Sequence, residues 1–221
     1  MQTGSSFNGR ELFVKLIPTL FMIALAIYVG VTRARALNIE DASYETRQAL
    51  SEAFQEEVKE YASYITYQKV AQEEGYPEAA RYFEAMAASD NAQSAALYQV
   101  LLKADESYPY PDSVDIDEVG TTEENLKKSY EHEYYMSREY YPELSYPVAE
   151  EGISDVYNAM VKCFRADTHQ AALYEEVGDG LMGRVVGTDY YVCENCGVVT
   201  MKAPILRCGN CSVFRWKIKK Y

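Results

Sequence analysis

A repeat restricts this chain more than any other feature. Glu73-Glu74-Gly75 returns as Glu150-Glu151-Gly152, 77 residues later, and Asp90-x-x-Gln93 returns as Asp167-x-x-Gln170 at the same spacing. Glu57 and Glu133 are 76 apart, as are Ala95-Ala96-Leu97-Tyr98 and Ala171-Ala172-Leu173-Tyr174. Self-similarity at one fixed period marks a supersecondary unit used twice, here with a pseudo-twofold axis between the copies. The unit reads as a helical hairpin. Asp41 and Ser43 are candidate caps for a first helix running to Glu74, where Gly75 stops it. Pro77 can open a second helix through Leu102. Residues 106–120, ESYPYPDSVDIDEVG, are turn-prone and lack a helical period, so they form a crossover. Thr121 with Glu124 makes a capping box for a third helix that ends at Gly152, and a fourth runs from Ser154 to Val177, before Gly178. Pro142 and Pro147 are expected to bend or break the third helix.

Two short helix pairs joined by one long crossover describe a ferritin-like four-helix bundle, an all-α fold. The expected organisation is a membrane anchor over 1–36, the bundle over 37–182 and a small metal-binding tail over 183–221. A hydrophobic content of 48% supports a true core. The net charge of -13 argues against a nucleic-acid partner, because phosphate neutralisation needs the opposite sign. The acid is concentrated in the middle of the chain, between two basic ends. There are 21 tyrosines. Those on the bundle helices, Tyr61, Tyr64, Tyr67, Tyr98, Tyr134, Tyr135, Tyr141, Tyr157 and Tyr174, read as amphipathic core and interface residues, with a redox relay as the minority reading. Cys163 reads as a buried small hydrophobe.

Residues 13–31, FVKLIPTLFMIALAIYVGV, carry one charge, Lys15, near their start. At 1.5 Å per residue, 19 residues span roughly 28 Å, against a bilayer core of about 30 Å. This is the expected single transmembrane helix. Ala34-Arg35-Ala36 resembles a signal-peptide cleavage site, but Arg33 and Arg35 crowd it. Basic residues lie on both sides of the segment, so charge bias does not orient it.

Cys193-x-x-Cys196-Gly197 and Cys208-x-x-Cys211 form two knuckles with eleven residues between them. Paired knuckles at this spacing point to one tetrahedral sulfur site. Five cysteines are too few for a disulfide scaffold, though two disulfides remain the bland alternative. Four thiolates suit either iron or zinc. The segment has too little apolar material to fold without the metal.

The chain resembles the rubrerythrins. The cues are AFQEEVKEYASYITYQKVAQEEGYPEAARYFEAMA in the first half, NLKKSYEHEYYMSREYYPEL with AEEG in the second, and the cysteine-paired tail after the bundle. The resemblance covers roughly residues 45–221. It implies a dinuclear iron site in the bundle, with a glutamate from each of two helices and Glu-x-x-His from each of the other two. Carried over, the lone glutamates are Glu57 and Glu133, and the paired motifs become Asp90-x-x-Gln93 and Asp167-x-x-Gln170. A further family glutamate, three residues after Glu133, is Met136. Four carboxylates remain, and every imidazole is replaced. Aspartate draws a ligand oxygen back by roughly 1–1.5 Å, while metal–ligand bonds tolerate about ±0.2 Å. Glutamine offers only a neutral carbonyl oxygen, better matched to Ca²⁺, Mg²⁺ or Mn²⁺ than to iron. His132 and His169 sit beside motif positions and face about 100° away from them. A metal-free, hydrogen-bonded polar layer is the competing reading of these six residues. In the tail, YVCENCG with Phe214 and Trp216 resembles rubredoxin and implies iron, whereas the second knuckle lacks that family's proline and leaves zinc open.

The leading expectation is therefore a membrane-anchored redox protein that passes single electrons through an Fe(Cys)4 centre, with the bundle site altered or degenerate. Two alternatives stand beside it: a rubrerythrin-type peroxide reductase with a dinuclear metal, and a non-enzymatic accessory subunit of a membrane complex. The expected partners are the membrane and a redox protein or larger complex, and the resemblance implies self-association. Thiolate ligands fit a reducing compartment, so the soluble part is read as facing the cytoplasm.

Overall fold

The computed structural model describes residues 39–183 and 187–221. Residues 37–221 form one compact unit. A short 3-10 turn, Ile39–Asp41, precedes α1 (Tyr44–Glu74). Then come α2 (Pro77–Ala104), α3 (Thr122–Tyr135), a π-helical segment (Met136–Tyr140), α4 (Tyr141–Glu151) and α5 (Ser154–Leu181). α3, the π segment and α4 make one rod, so the bundle has four rods. The expected anchor at 13–31 lies outside the described residues; among those described, no helix is long and apolar enough to cross a membrane.

Local chemistry sets most of the helix ends. The Ser43 hydroxyl accepts from the Thr46 amide at 3.1 Å, satisfying a donor that the first turn leaves orphaned. The Glu151 carboxylate in turn accepts from the Ser43 amide at 2.6 Å and its hydroxyl at 2.8 Å, tying the start of α1 to the end of α4. Thr121 and Glu124 form the expected capping box. Gly75 and Gly152 both take left-handed backbone at φ 82° and 78°, ending α1 and α4 in the same way.

The third rod is neither broken nor interrupted at a proline. Instead it carries a single wide turn before Pro142, where the Tyr141 amide donates to the Met136 carbonyl, five residues back. A π turn adds one residue to a helix, and Pro142 itself has no amide to give to an acceptor four residues back. That extra residue accounts for the uneven repeat. Before it, Glu57 pairs with Glu133 at an offset of 76; after it, Gly75 pairs with Gly152 at 77. α2 and α5 are then equivalent at 77 from end to end, each 28 residues long. The Ala-Ala-Leu-Tyr match at 76 is therefore a coincidence of composition. α5 also runs past Gly178 to Leu181, four residues beyond expectation. The cause is tertiary: Leu181 is buried in the core cluster that also holds Tyr190 from the tail.

Two apolar clusters fill the bundle. One contains Leu50, Phe54, Met136, Tyr141, Ile153 and Met160; the other contains Tyr64, Tyr82, Phe83, Met86, Leu126 and Leu173. Each rod passes from one cluster to the other through a short polar stretch. The crossover packs on the first cluster, where Phe54 meets the rings of Tyr98, Tyr108 and Tyr110 at 5.2–6.0 Å. The tail is a three-stranded antiparallel sheet in the order β2-β1-β3, with β1 Tyr191–Cys193, β2 Val199–Thr200 and β3 Ile218–Lys220. Tyr190 and Val192 join the second bundle cluster, so the tail rests on the end of the bundle that lies beyond the polar stretch.

Candidate metal centres

The tail site is built from two turns of one kind. Cys193 closes β1, and its carbonyl accepts from the Gly197 amide at 2.9 Å. In the second knuckle, the Cys208 carbonyl accepts from the Ser212 amide at 2.9 Å. Each fifth residue is left-handed, Gly197 at φ 75° and Ser212 at φ 60°. Glycine adopts that backbone freely; serine does so at a cost of order 1–3 kcal/mol. Ser212 is the only non-glycine residue with positive φ among those described.

These turns bring Cys193 to 3.6 Å from Cys211 and Cys196 to 3.7 Å from Cys208, sulfur to sulfur. All four sulfurs lie within 4.8 Å of one another. A disulfide would need about 2.05 Å. A tetrahedral metal with bonds of about 2.3 Å needs edges of about 3.8 Å. The thiols thus stand as ligands and not as disulfides. Cys208 is held far below the usual thiol range, as Cys193 and then Cys196 donate to its sulfur and the Cys211 and Asn210 amides add to this.

The bundle site gathers residues far apart in sequence. Glu57 on α1, Asp90 and Gln93 on α2, Glu133 on α3, and Asp167 and Gln170 on α5 are all buried in the polar layer between the two clusters. Two tyrosines serve it across the bundle. The Tyr64 hydroxyl donates to Glu133 Oε1 at 2.6 Å, and the Tyr141 hydroxyl donates to Glu57 Oε1 at 2.5 Å. The two pairs are the same contact repeated by the pseudo-twofold axis: Tyr64 and Tyr141 are 77 apart, Glu57 and Glu133 are 76 apart, and the π turn lies between. The glutamine amides reach Asp90 Oδ1 only at the long end of hydrogen bonding, 3.5 Å from Gln93 and 3.4 Å from Gln170.

The layer has fewer donors than acceptors. Glu57 Oε2, Asp90 Oδ2, Glu133 Oε2, both Asp167 oxygens and the carbonyl oxygens of Gln93 and Gln170 are buried without a hydrogen-bond partner. Burial, followed by the charge of Asp167, pushes Glu57, Asp90 and Glu133 well above the carboxylate range. Burial pushes Asp167 up to about 8. Buried acceptors in this number call for positive charge, either protons or metal cations. The donor set fits an oxygen-preferring cation, because it offers no nitrogen and no sulfur.

The sequence reading missed three residues here. Tyr64 and Tyr141 read as amphipathic core and interface residues, and nothing local in the sequence marks them as partners of the glutamates. Glu60, one turn after Glu57, is also buried, with a carboxylate oxygen within 4.8 Å of ligand atoms of Glu57 and Asp90. Its Oε1 is in direct contact with His132 Nε2. Burial, aided by Lys59, pulls the His132 pKa down to about 4. His132 is half-buried and meets Glu60 rather than a motif glutamine, while His169 is exposed. Glu60 and His132 also line a cavity of about 390 Å³ together with Glu56, Lys59, Tyr64 and Tyr67.

The two centres meet through one helix face. The Ser89 hydroxyl donates to the Gly197 carbonyl at 2.6 Å, and the Gln93 amide reaches that hydroxyl at 3.3 Å. A Cβ on Gly197 would come within 2.6 Å of Gln93 Cγ and 2.9 Å of the Ser89 carbonyl. The knuckle is seated against α2, beside the residues that line the bundle layer.

Known proteins share this architecture. The Rubrerythrin family profile matches residues 48–176. A rubrerythrin-like protein of Methanocaldococcus jannaschii is 28% identical over 193 residues, covering 80% of this chain and 95% of that one. Nigerythrin of Nitratidesulfovibrio vulgaris is 24% identical over 166 residues, covering 75% of this chain and 81% of its own. The solved structure of fully reduced, all-ferrous nigerythrin superposes with a TM-score of 0.73 at 22% identity, over 85% of this chain and 98% of that one. The mixed-valence form gives 0.71 at 21% identity, with the same coverage. At these identities the structural likeness establishes the fold.

Proposed function

The chain belongs to the rubrerythrin family, and on that premise we propose that it is a membrane-held, one-electron carrier whose working centre is the Fe(Cys)4 site of the tail. The observation that carries this reading is the pair of sulfur separations, 3.6 and 3.7 Å, where four thiols converge. Iron on four thiolates supplies a reversible ferric–ferrous couple with little change in geometry. The chain's own contribution is to fix the ligands and to expose one edge. Cys193, Cys196 and Cys208 are buried, while Cys211 is half-buried. On the same module Trp216 is 71% exposed and stacks on Phe214 at 4.4 Å, with the Arg207 guanidinium over the Phe214 ring at 3.8 Å. A redox partner would dock at this aromatic and basic flank.

In this reading the bundle ligands are altered from the family's pattern, with Asp90-x-x-Gln93 and Asp167-x-x-Gln170 in place of Glu-x-x-His. A glutamine side chain cannot give the nitrogen lone pair of an imidazole, so the layer does not support an iron pair. Residues 13–31 anchor the chain, with the thiolates on the reducing, cytoplasmic side. A second reading, a peroxide reductase with a dinuclear metal, draws on the unpartnered oxygens of the layer.

The test is a visible spectrum of the full chain purified in detergent, before and after dithionite. Thiolate-to-iron bands that bleach with one electron per chain support the electron carrier. Protein that contains zinc and has no such bands overturns it and leaves an accessory subunit.

A further inference from the structure

We infer that the bundle holds a single hard divalent cation, off centre, on Glu57, Glu60 and Asp90, with His132 positioning Glu60 from the cavity side. The inference goes beyond the altered family set, because Glu60 is not among the positions the family motif supplies. It rests on the reading that the layer holds no iron pair.

The argument begins with the repeat. Before the π turn the offset is 76, so the pseudo-symmetric counterpart of Glu60 is Met136. Both are buried. The layer is therefore unequal: the Glu57 side has a third carboxylate, and the Glu133 side has a thioether in its place. Ligand atoms of Glu57, Glu60 and Asp90 lie within 4.8 Å of one another, and among the described residues no other carboxylate group converges this closely. Opposite ligands of an octahedral cation with bonds of about 2.1 Å stand about 4.2 Å apart, so small rotamer changes suffice.

The second observation is independent of the acids' mere proximity. Glu60 is 5% exposed, and its Oε2 has no partner. Asp90 Oδ2 and Glu57 Oε2 are buried and unpartnered as well. Gln170 is fully buried, its amide nitrogen lies 3.4 Å from Asp90 Oδ1, and its carbonyl oxygen is unpartnered. Each of these four buried side chains keeps one oxygen without a hydrogen-bond partner.

There is also a route in. Glu60 belongs to both the carboxylate group and the wall of the 390 Å³ cavity, so that cavity reaches the layer at this residue. His132 Nε2 contacts Glu60 Oε1 and stands 3.7 Å from Glu56 Oε1. His132 thus abuts one oxygen of Glu60, while the other, Oε2, is unpartnered and available to the cation. Two lysines line the same cavity, and both are engaged: Lys59 by Asp117 at 3.0 Å and Lys128 by the Glu118 carbonyl at 2.6 Å.

The test uses the full chain with its tail iron in place and the bundle stripped by a chelator, titrated with Mn²⁺ and read by electron paramagnetic resonance. One Mn²⁺ per chain is expected. Glu60→Gln, which keeps the shape of the side chain, should weaken that binding by at least about tenfold. Glu133→Gln, on the side with Met136, should leave the stoichiometry at one and weaken binding clearly less than Glu60→Gln does. Circular dichroism confirms that both variants are folded. Two Mn²⁺ per chain, no Mn²⁺, or Glu60→Gln binding like the parent would overturn the inference. The tail's thiolate bands, recorded in the same samples, report separately on the electron carrier.

Discussion

The tail and the bundle solve the problem of holding a metal in opposite ways. In the tail, the four ligands come from two turns within 19 residues, and the sheet around them is eight residues in all. The metal organises the protein, since so small a module buries little apolar surface of its own. In the bundle, the polar residues come from all four rods, and two large apolar clusters pack those rods together. There the protein organises the metal. A folded scaffold can tolerate changed ligands, whereas a metal-dependent module cannot. This is a physical reason why Glu-x-x-His can become Asp-x-x-Gln in both halves of the bundle while all four cysteines stand complete.

That contrast can be broken in four ways. The largest effect is expected from Cys208→Ser. Metal-coupled folding of such a module is worth on the order of 10 kcal/mol, so the variant should lose its iron and its tail should become protease-sensitive, with the helical circular dichroism unchanged. Collapse of the helices as well would show that the bundle depends on the tail. The converse is Phe54→Ala, which opens a cavity in the first cluster and should cost about 3–5 kcal/mol in urea unfolding while the tail's visible bands persist below the transition.

The third test is pH. Glu57, Asp90 and Glu133 are raised in the fold, and Asp167 is raised to about 8. Their unfolded values lie near 4. The fold therefore binds more protons than the unfolded chain between these limits. Stability is fully present below about pH 4 and is lost as pH rises toward 8. Chelator-treated bundle should lose at least about 3 kcal/mol between pH 5 and pH 8, the share of a single such group, measured by thermal melts, and added Mn²⁺ should restore it. The tail should respond in the opposite direction, releasing its metal in acid as the thiolates protonate. A flat profile for the stripped bundle would mean that the layer is not proton-loaded. The smallest effect is expected from Tyr141→Phe and Tyr64→Phe, about 1–2 kcal/mol each for one lost hydrogen bond to a buried carboxyl. Their near equality would confirm that the two contacts are symmetric, and a several-fold difference would deny it.

Much of the fold was legible because its signals are local. The Ser43 cap, the Thr121–Glu124 box and the two glycine stops act over a few residues, and the structure uses all of them. The repeat gave the rods and their pairing, but the change of offset from 76 to 77 found its cause only in the π turn, which no residue type announces. The extension of α5 to Leu181 was not legible, because the tail that buries Leu181 arrives from elsewhere in the chain. In the site, the motif residues could be placed by spacing, since i and i+3 share a helix face. Tyr64, Tyr141 and Glu60 could not, because their roles depend on what faces them from another rod. Ser212 had no signal either, as a left-handed serine is visible only in its backbone.

The most direct test of the central contrast is a Mössbauer spectrum of the full-length protein grown on enriched iron. The account predicts one high-spin ferric species in tetrahedral sulfur coordination that converts fully on reduction, with no spin-coupled diferric pair. A coupled diferric signal in stoichiometric amount would contradict it, placing a working iron pair in the bundle and the redox chemistry there as well.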